Sequence, residues 1–233
     1  MIAQGQMTTH LRGKTSAGTA ILLGLALVLS ASSSHAQTKM PSPADLPPSF
    51  TAISPIFSQL VSFSMPSNFI VAFENTNNGR YTREAVPKGE TVQQWSEMIT
   101  VTGAKGLAGS PSGLPENFAL TIAAGFKRAC PETFAAKAWG ATRIGEHDAF
   151  MAVVGCGRVG NGAAVHSETA LIIAIKGATD VYTLQWAERG AAADKAGVEN
   201  AKWQDRLKRL SPIRLCPIIP GEAPPYPSCV GRK

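Results

Sequence analysis

Residues 168–188 read ETALIIAIKGATDVYTLQWAE. Two runs rich in β-branched, aliphatic and aromatic residues flank the short link Gly177-Ala178-Thr179-Asp180. Short apolar runs bounded by turn residues mark strands, and a tight Gly-containing link between them marks an antiparallel hairpin. Working outward, 149–154 (AFMAVV) supplies a further strand upstream. Earlier still come four strand-like runs at 60–65, 68–74, 80–86 and 95–102, the second closed by Asn75-Thr76-Asn77-Asn78-Gly79, a strong turn signal. Between the two groups, Pro115 opens a helical pattern with Phe118, Ile122, Phe126 and Ala129 on one face. A last helix over 198–210 places Trp203, Leu207 and Leu210 together. Strands and helices do not alternate one for one, which argues against a doubly wound parallel sheet. The expected fold is α+β: a mainly antiparallel sheet of about six or seven strands, covered by two principal helices, with a disulfide-clasped C-terminal tail.

Composition bounds the rest. The chain has 233 residues, 44% hydrophobic and 16% charged, with a formal net charge of +6. Ordinary apolar content excludes a disordered chain, and a single long apolar run excludes a multi-span membrane protein. The basic excess is mild and scattered; Lys202, Arg206, Lys208 and Arg209 read as the solvated face of a helix. With 7% aromatic residues, a base-stacking platform for nucleic acid is not expected.

Residues 1–36 have the pattern of a secretory signal. Arg12 and Lys14 precede the apolar run 21–29, and small Ser34 and Ala36 stand before a cut between Ala36 and Gln37. The run is too short for the roughly 20 residues that span a bilayer, so stable insertion after cleavage is not expected. The expected divisions are the signal at 1–36, a Pro-rich leader at 37–55, one α+β domain at 56–213 and a Pro-rich tail at 214–233. The expected location is periplasmic or secreted. Four cysteines in an exported chain imply disulfides, and four allow three pairings. The two local loops, Cys130–Cys156 and Cys216–Cys229, are favoured. The second encloses Pro217, Pro220, Pro224, Pro225 and Pro227, which exclude a helix or an inner strand there.

The segment order resembles the PsbP-like fold, shared by the extrinsic photosystem II protein and the Ran-release factor. The resemblance is carried by Phe63-Ser64-Met65-Pro66, by 81–87 (YTREAVP), and by Gly89-Glu90 and Trp95 leading into Met98-Ile99-Thr100-Val101. The chain is also similar to exported bacterial proteins with Pro-x-Gly-Glu followed by Trp and a Met-containing strand. The resemblance implies a docking or accessory role and brings no catalytic residues. The clasped tail departs from that fold.

Glu146-His147-Asp148 is a poor metal site, because adjacent residues of an extended chain face opposite ways. His166 and Glu168 share a strand face, but no Gly-x-Ser-x-Gly element accompanies them. The Gly-rich stretch 155–162 lacks the Gly-Lys-Ser/Thr of a phosphate loop and reads as a hairpin next to a disulfide. Gln185-Trp186-Ala187-Glu188-Arg189 is retained: Trp186, Glu188 and Arg189, with Trp95 and Glu84, are candidates for a recognition surface. The competing expectation for Trp186 is that it packs beneath the final helix. No cofactor or metal is expected, and the expected partner is another envelope protein. The expected function is an exported non-catalytic accessory or binding protein, with the clasped loop 217–228 a second presenting element. The alternative is a small exported hydrolase using His166, Glu168 or His147 as base.

Overall fold

A computed structural model describes residues 47–199 and 201–230; the signal segment and most of the expected leader lie outside them. The hairpin at residues 168–188 sits inside the larger sheet. That sheet is built from β3 (Phe69–Asn77), β4 (Arg80–Pro87), β5 (Glu97–Ala104), β6 (Phe134–Ile144), β7 (His147–Val159), β8 (His166–Lys176) and β9 (Val181–Gly190). Its order is β3-β4-β5-β9-β8-β7-β6, antiparallel throughout. A second, three-stranded sheet has the order β1-β2-β10, with β1 (Ser49–Ile56), β2 (Gln59–Pro66) and β10 (Arg214–Pro217). Helices α1 (Pro115–Ala129), α2 (Lys202–Leu210) and the short α3 (Pro227–Val230) complete the fold.

Strand alternation divides the large sheet into two faces. Tyr182, Leu184 and Trp186 of β9, Leu171, Ile173 and Ile175 of β8, and Ile99 and Val101 of β5 point one way. They form the main core with Ile56, Val61 and Phe63 of the small sheet and Trp203 and Leu210 of α2. Gly103 allows close approach of the two sheets: a Cβ there would stand 2.6 Å from Ile56 Cγ2. On the other face, Phe150, Ala152, Val154, Ile172 and Ala174 pack against Ala119, Phe118, Ile122 and Phe126 of α1. One end of the core is tied by Asp180 in the β8–β9 turn. Its carboxylate accepts hydrogen bonds from Ser58 N at 3.1 Å, Ser58 Oγ at 2.5 Å, Gly106 N at 2.7 Å and the Tyr182 hydroxyl at 3.2 Å. Burial opposes ionisation of Asp180, but these donors outweigh it and hold the carboxyl below the usual range.

Both favoured disulfides are present, Cys130–Cys156 and Cys216–Cys229. The first fixes the end of α1 to β7, and the second clasps the tail.

Three expectations are corrected. The leader does not run to residue 55: β1 occupies 49–56, and its Pro55 is tolerated because β1 is an edge strand whose missing N–H costs no ladder bond. The tail contains a short helix, α3, because Pro227 stands at its first position, where no N–H is needed. It also contributes β10, at the edge of the small sheet. Strand β6 was not expected at all. Its sequence FAAKAWGATRI is poor in β-formers and irregular between Ala138 and Gly140; pairing with β7 holds it.

Candidate functional site

The α1-side face of the large sheet changes character along each row of paired residues. One row runs Phe73, Glu84, Thr100, Gln185, Ile172, Ala152 from β3 across to β7. The next runs Asn75, Thr82, Thr102, Thr183, Ala174, Phe150. Residues on β3, β4, β5 and β9 are mostly polar, and those on β8 and β7 are apolar. A fifteen-residue helix buries one stripe, so α1 covers the apolar half and leaves the polar half open. Hydroxyls on the open half bond to each other: Thr102 Oγ1 lies 2.7 Å from Thr183 Oγ1, which also accepts from Gln185 Nε2 at 3.1 Å.

The step between helix and open sheet is a groove. A cavity of about 500 Å³ is lined by Arg80, Thr82, Thr102 and Gln185 on the sheet and by Phe118, Thr121, Ile122 and Gly125 on α1. It shares Arg80 and Thr82 with a hollow of about 420 Å³ that also touches Phe73, Asn75 and Asn77. In the other direction it shares Ile122 and Gly125 with a cavity of about 480 Å³ lined by Phe126, Val159, His166, Glu168 and Arg189.

The last cavity ends in a tied cluster. Arg189 Nε donates to Glu168 Oε2 at 3.2 Å, and its NH1 donates to the Gln93 carbonyl at 3.2 Å. The guanidinium lies 3.9 Å from the centroid of the Trp95 ring, a cation–π contact. His166 Nδ1 is 2.8 Å from the Ala164 carbonyl, so Nδ1 carries the proton in a neutral ring. His166 Nε2 is buried without a hydrogen-bond partner, 3.8 Å from Glu168 Oε2. His147 is far away: it opens β7, whereas His166 pairs with Val159 at the other end of that strand, about 40 Å along it at the usual rise. The two histidines belong to no common site.

The five sequence candidates therefore separate. Glu84, Trp95 and Arg189 belong to the open face and its rim. Trp186 and Glu188 lie on the opposite face under α2. Trp186 is 0% exposed, meets Phe69 edge-on at 5.6 Å, and has the guanidinium carbons of Arg206 and Arg209 at 5.0 and 4.7 Å from its centroid. It cannot line a surface; this is the packing expectation. Glu188 bonds Lys202 Nζ at 2.5 Å and Arg206 Nε at 2.6 Å. Burial opposes its charge, but these two cations prevail and hold its carboxyl low. Glu84 is the reverse case: partly buried, without a cation, and pushed up by burial. The sequence reading missed Arg80, Thr82, Thr102, Gln185 and Phe118. The available signal was the run of polar residues at alternate positions of β4, β5 and β9.

Among the described residues, no group of three or more His, Cys, Asp or Glu is placed to hold a metal ion, and no helix is long and apolar enough to cross a membrane. No family model matches the chain, and no curated protein matches it in sequence. Solved structures similar to this chain include the Ran-binding protein Mog1p of Saccharomyces cerevisiae, with TM-score 0.39 and 13% identity, covering 70% of this chain and 85% of that one. Another is LpqN of Mycobacterium tuberculosis, described as involved in cell envelope biogenesis, with TM-score 0.37 and 11% identity, covering 72% and 92%.

Proposed function

We propose that this chain is an exported, non-catalytic accessory protein of the bacterial cell envelope that engages another envelope protein through the groove beside α1. The observation that carries the reading is the half-covered sheet: a polar, hydrogen-bonding floor left open next to an apolar helix wall. Large contiguous open surfaces of this kind mark binding sites more than stability devices. The signal-like segment and the two disulfides fit an oxidising compartment. The test is a photo-cross-linking phenylalanine analogue at Phe73, which is 41% exposed beside the groove, with the analogue at Phe50, 48% exposed on β1, as control. In the full-length chain, expressed in its native cell, Phe73 gives one stoichiometric protein adduct and Phe50 does not. Equal labelling from both positions, or none from Phe73, overturns the reading.

A hydrolase has one observation behind it, the bare Nε2 of His166 beside Glu168 at the end of the groove. Joint replacement of His147 and His166 by Ala leaves the Phe73 adduct in place if the chain is an accessory protein. Any hydrolytic turnover that this replacement abolishes establishes the enzyme instead.

A further inference from the structure

Two opposite charges stand on the open face without partners. Arg80 and Glu84 are four residues apart on β4 and point to the same side, about 13 Å apart at the usual strand rise. Cross-strand neighbours of Glu84 are Phe73 and Thr100, and those of Arg80 are Asn77 and Ala104; none carries a charge. Neither has an ion-pair or hydrogen-bond partner among the described residues. On the reverse side of the same strand, Arg83 is paired with Glu74 at 2.9 Å. Pairing is thus available to this strand on its other face, while on the open face Arg80 lines two of the cavities and Glu84 lies on the same side of the strand. Glu84 is also partly buried, and a partly buried carboxylate with no donor is a cost the fold gains nothing from.

We infer that the open face binds an extended segment of the partner polypeptide carrying one basic and one acidic side chain four residues apart, the base on Glu84 and the acid on Arg80. An extended chain repeats at the same rise as β4, so its side chains at that spacing meet both charges. Thr82, Thr102 and Gln185 between them offer hydroxyl and amide groups to the segment's backbone. Phe118 and Ile122 flank the path with an apolar wall. The inference rests on the groove being the docking surface proposed above.

The test uses capped peptides and the 15N-labelled chain. The probe is acetyl-Lys-Ala-Leu-Ala-Glu-amide. Comparison peptides carry Lys at both ends, Glu at both ends, or Gln at both ends. The dipolar peptide shifts the amide signals of Thr82, Thr102 and Gln185 and binds about three- to tenfold more tightly than the others, as expected for two partly screened ion pairs. Glu84→Gln and Arg80→Gln each remove that advantage. Arg80→Glu turns the preference toward the doubly basic peptide, a gain of binding that unfolding cannot imitate. Equal binding of all four peptides, no shift on this face, or no change of preference in Arg80→Glu overturns the inference. If Phe73 still captures its partner while the peptides show no charge preference, the docking surface stands and only the charge rule fails.

Discussion

The two faces of the large sheet carry the same kinds of residue and treat them differently. On the core side, Glu188 is matched with Lys202 and Arg206 and Glu97 with Arg206 at 3.0 Å under α2, and Glu74 is matched with Arg83 beside the small sheet. Arg206 alone joins two acids and lies over Trp186. On the α1 side, Glu84 and Arg80 are left unmatched and the hydroxyls bond to each other. Charges that hold an element in place are neutralised within the chain, because a desolvated unpaired charge is costly. Arg80, which lines two of the cavities, and Glu84 on the same side of β4 are not neutralised by any charge among the described residues. The open rim shows the intermediate state: Arg189 is held by Glu168, Gln93 and Trp95, but the cavity reaches all the way to it.

The comparison can be broken from its stronger side first. Trp186→Ala removes a fully buried ring and is expected to cost about 3–5 kcal/mol, read from the denaturant midpoint. Joint replacement of Cys130 and Cys156 by Ser opens a loop of sequence separation 26 and is expected to cost about 3–4 kcal/mol on the chain-entropy account. Protease sensitivity should appear at the end of α1. Arg206→Ala leaves Glu188 and Glu97 without their shared guanidinium, an expected loss of about 1–3 kcal/mol. A loss below about 0.5 kcal/mol would show that the α2 face is not held by this network.

The open face should respond weakly in stability and in the opposite direction with pH. Asp180 and Glu188 have folded pKa values below their unfolded ones, so their stabilisation is present above the unfolded pKa and is lost as pH falls through the folded pKa. Glu84 has a raised folded pKa, so the folded state holds its proton more tightly and gains stability as pH falls through that value. Asp180→Asn should flatten the acid-side loss in a series of melting curves. Glu84→Gln should remove the small acid-side gain and leave stability at pH 7 unchanged or higher. If Glu84→Gln is destabilising at pH 7, the carboxylate has a structural partner and the contrast between the faces fails. Phe73→Ser, the smallest expected effect, changes stability by within about 0.5 kcal/mol, read from the denaturant midpoint, because its side chain is 41% exposed.

Much of this architecture was legible in the residues. Alternation and turn chemistry marked β2, β3, β4, β5, β7, β8 and β9 and the hairpin at Gly177–Asp180, because those signals are local. Helix α1 was marked by its apolar spacing and Pro115. The pairing of the cysteines followed from loop proximity. Strands β1, β6 and β10 were not read, since each is an edge strand built from Pro, Ala or short segments and is held by its neighbour rather than by its own propensity. Trp186 and Arg189 show the limit most clearly. They are three residues apart on one strand, equally plausible as anchors by type, and alternation alone puts them on opposite faces. Which of those faces would be covered depends on where α1 and α2 pack across seven strands. Local propensity and pattern determined the elements. Only their packing decided which half of one sheet face is left open, because burial is a property of the neighbours an element meets and not of its own sequence.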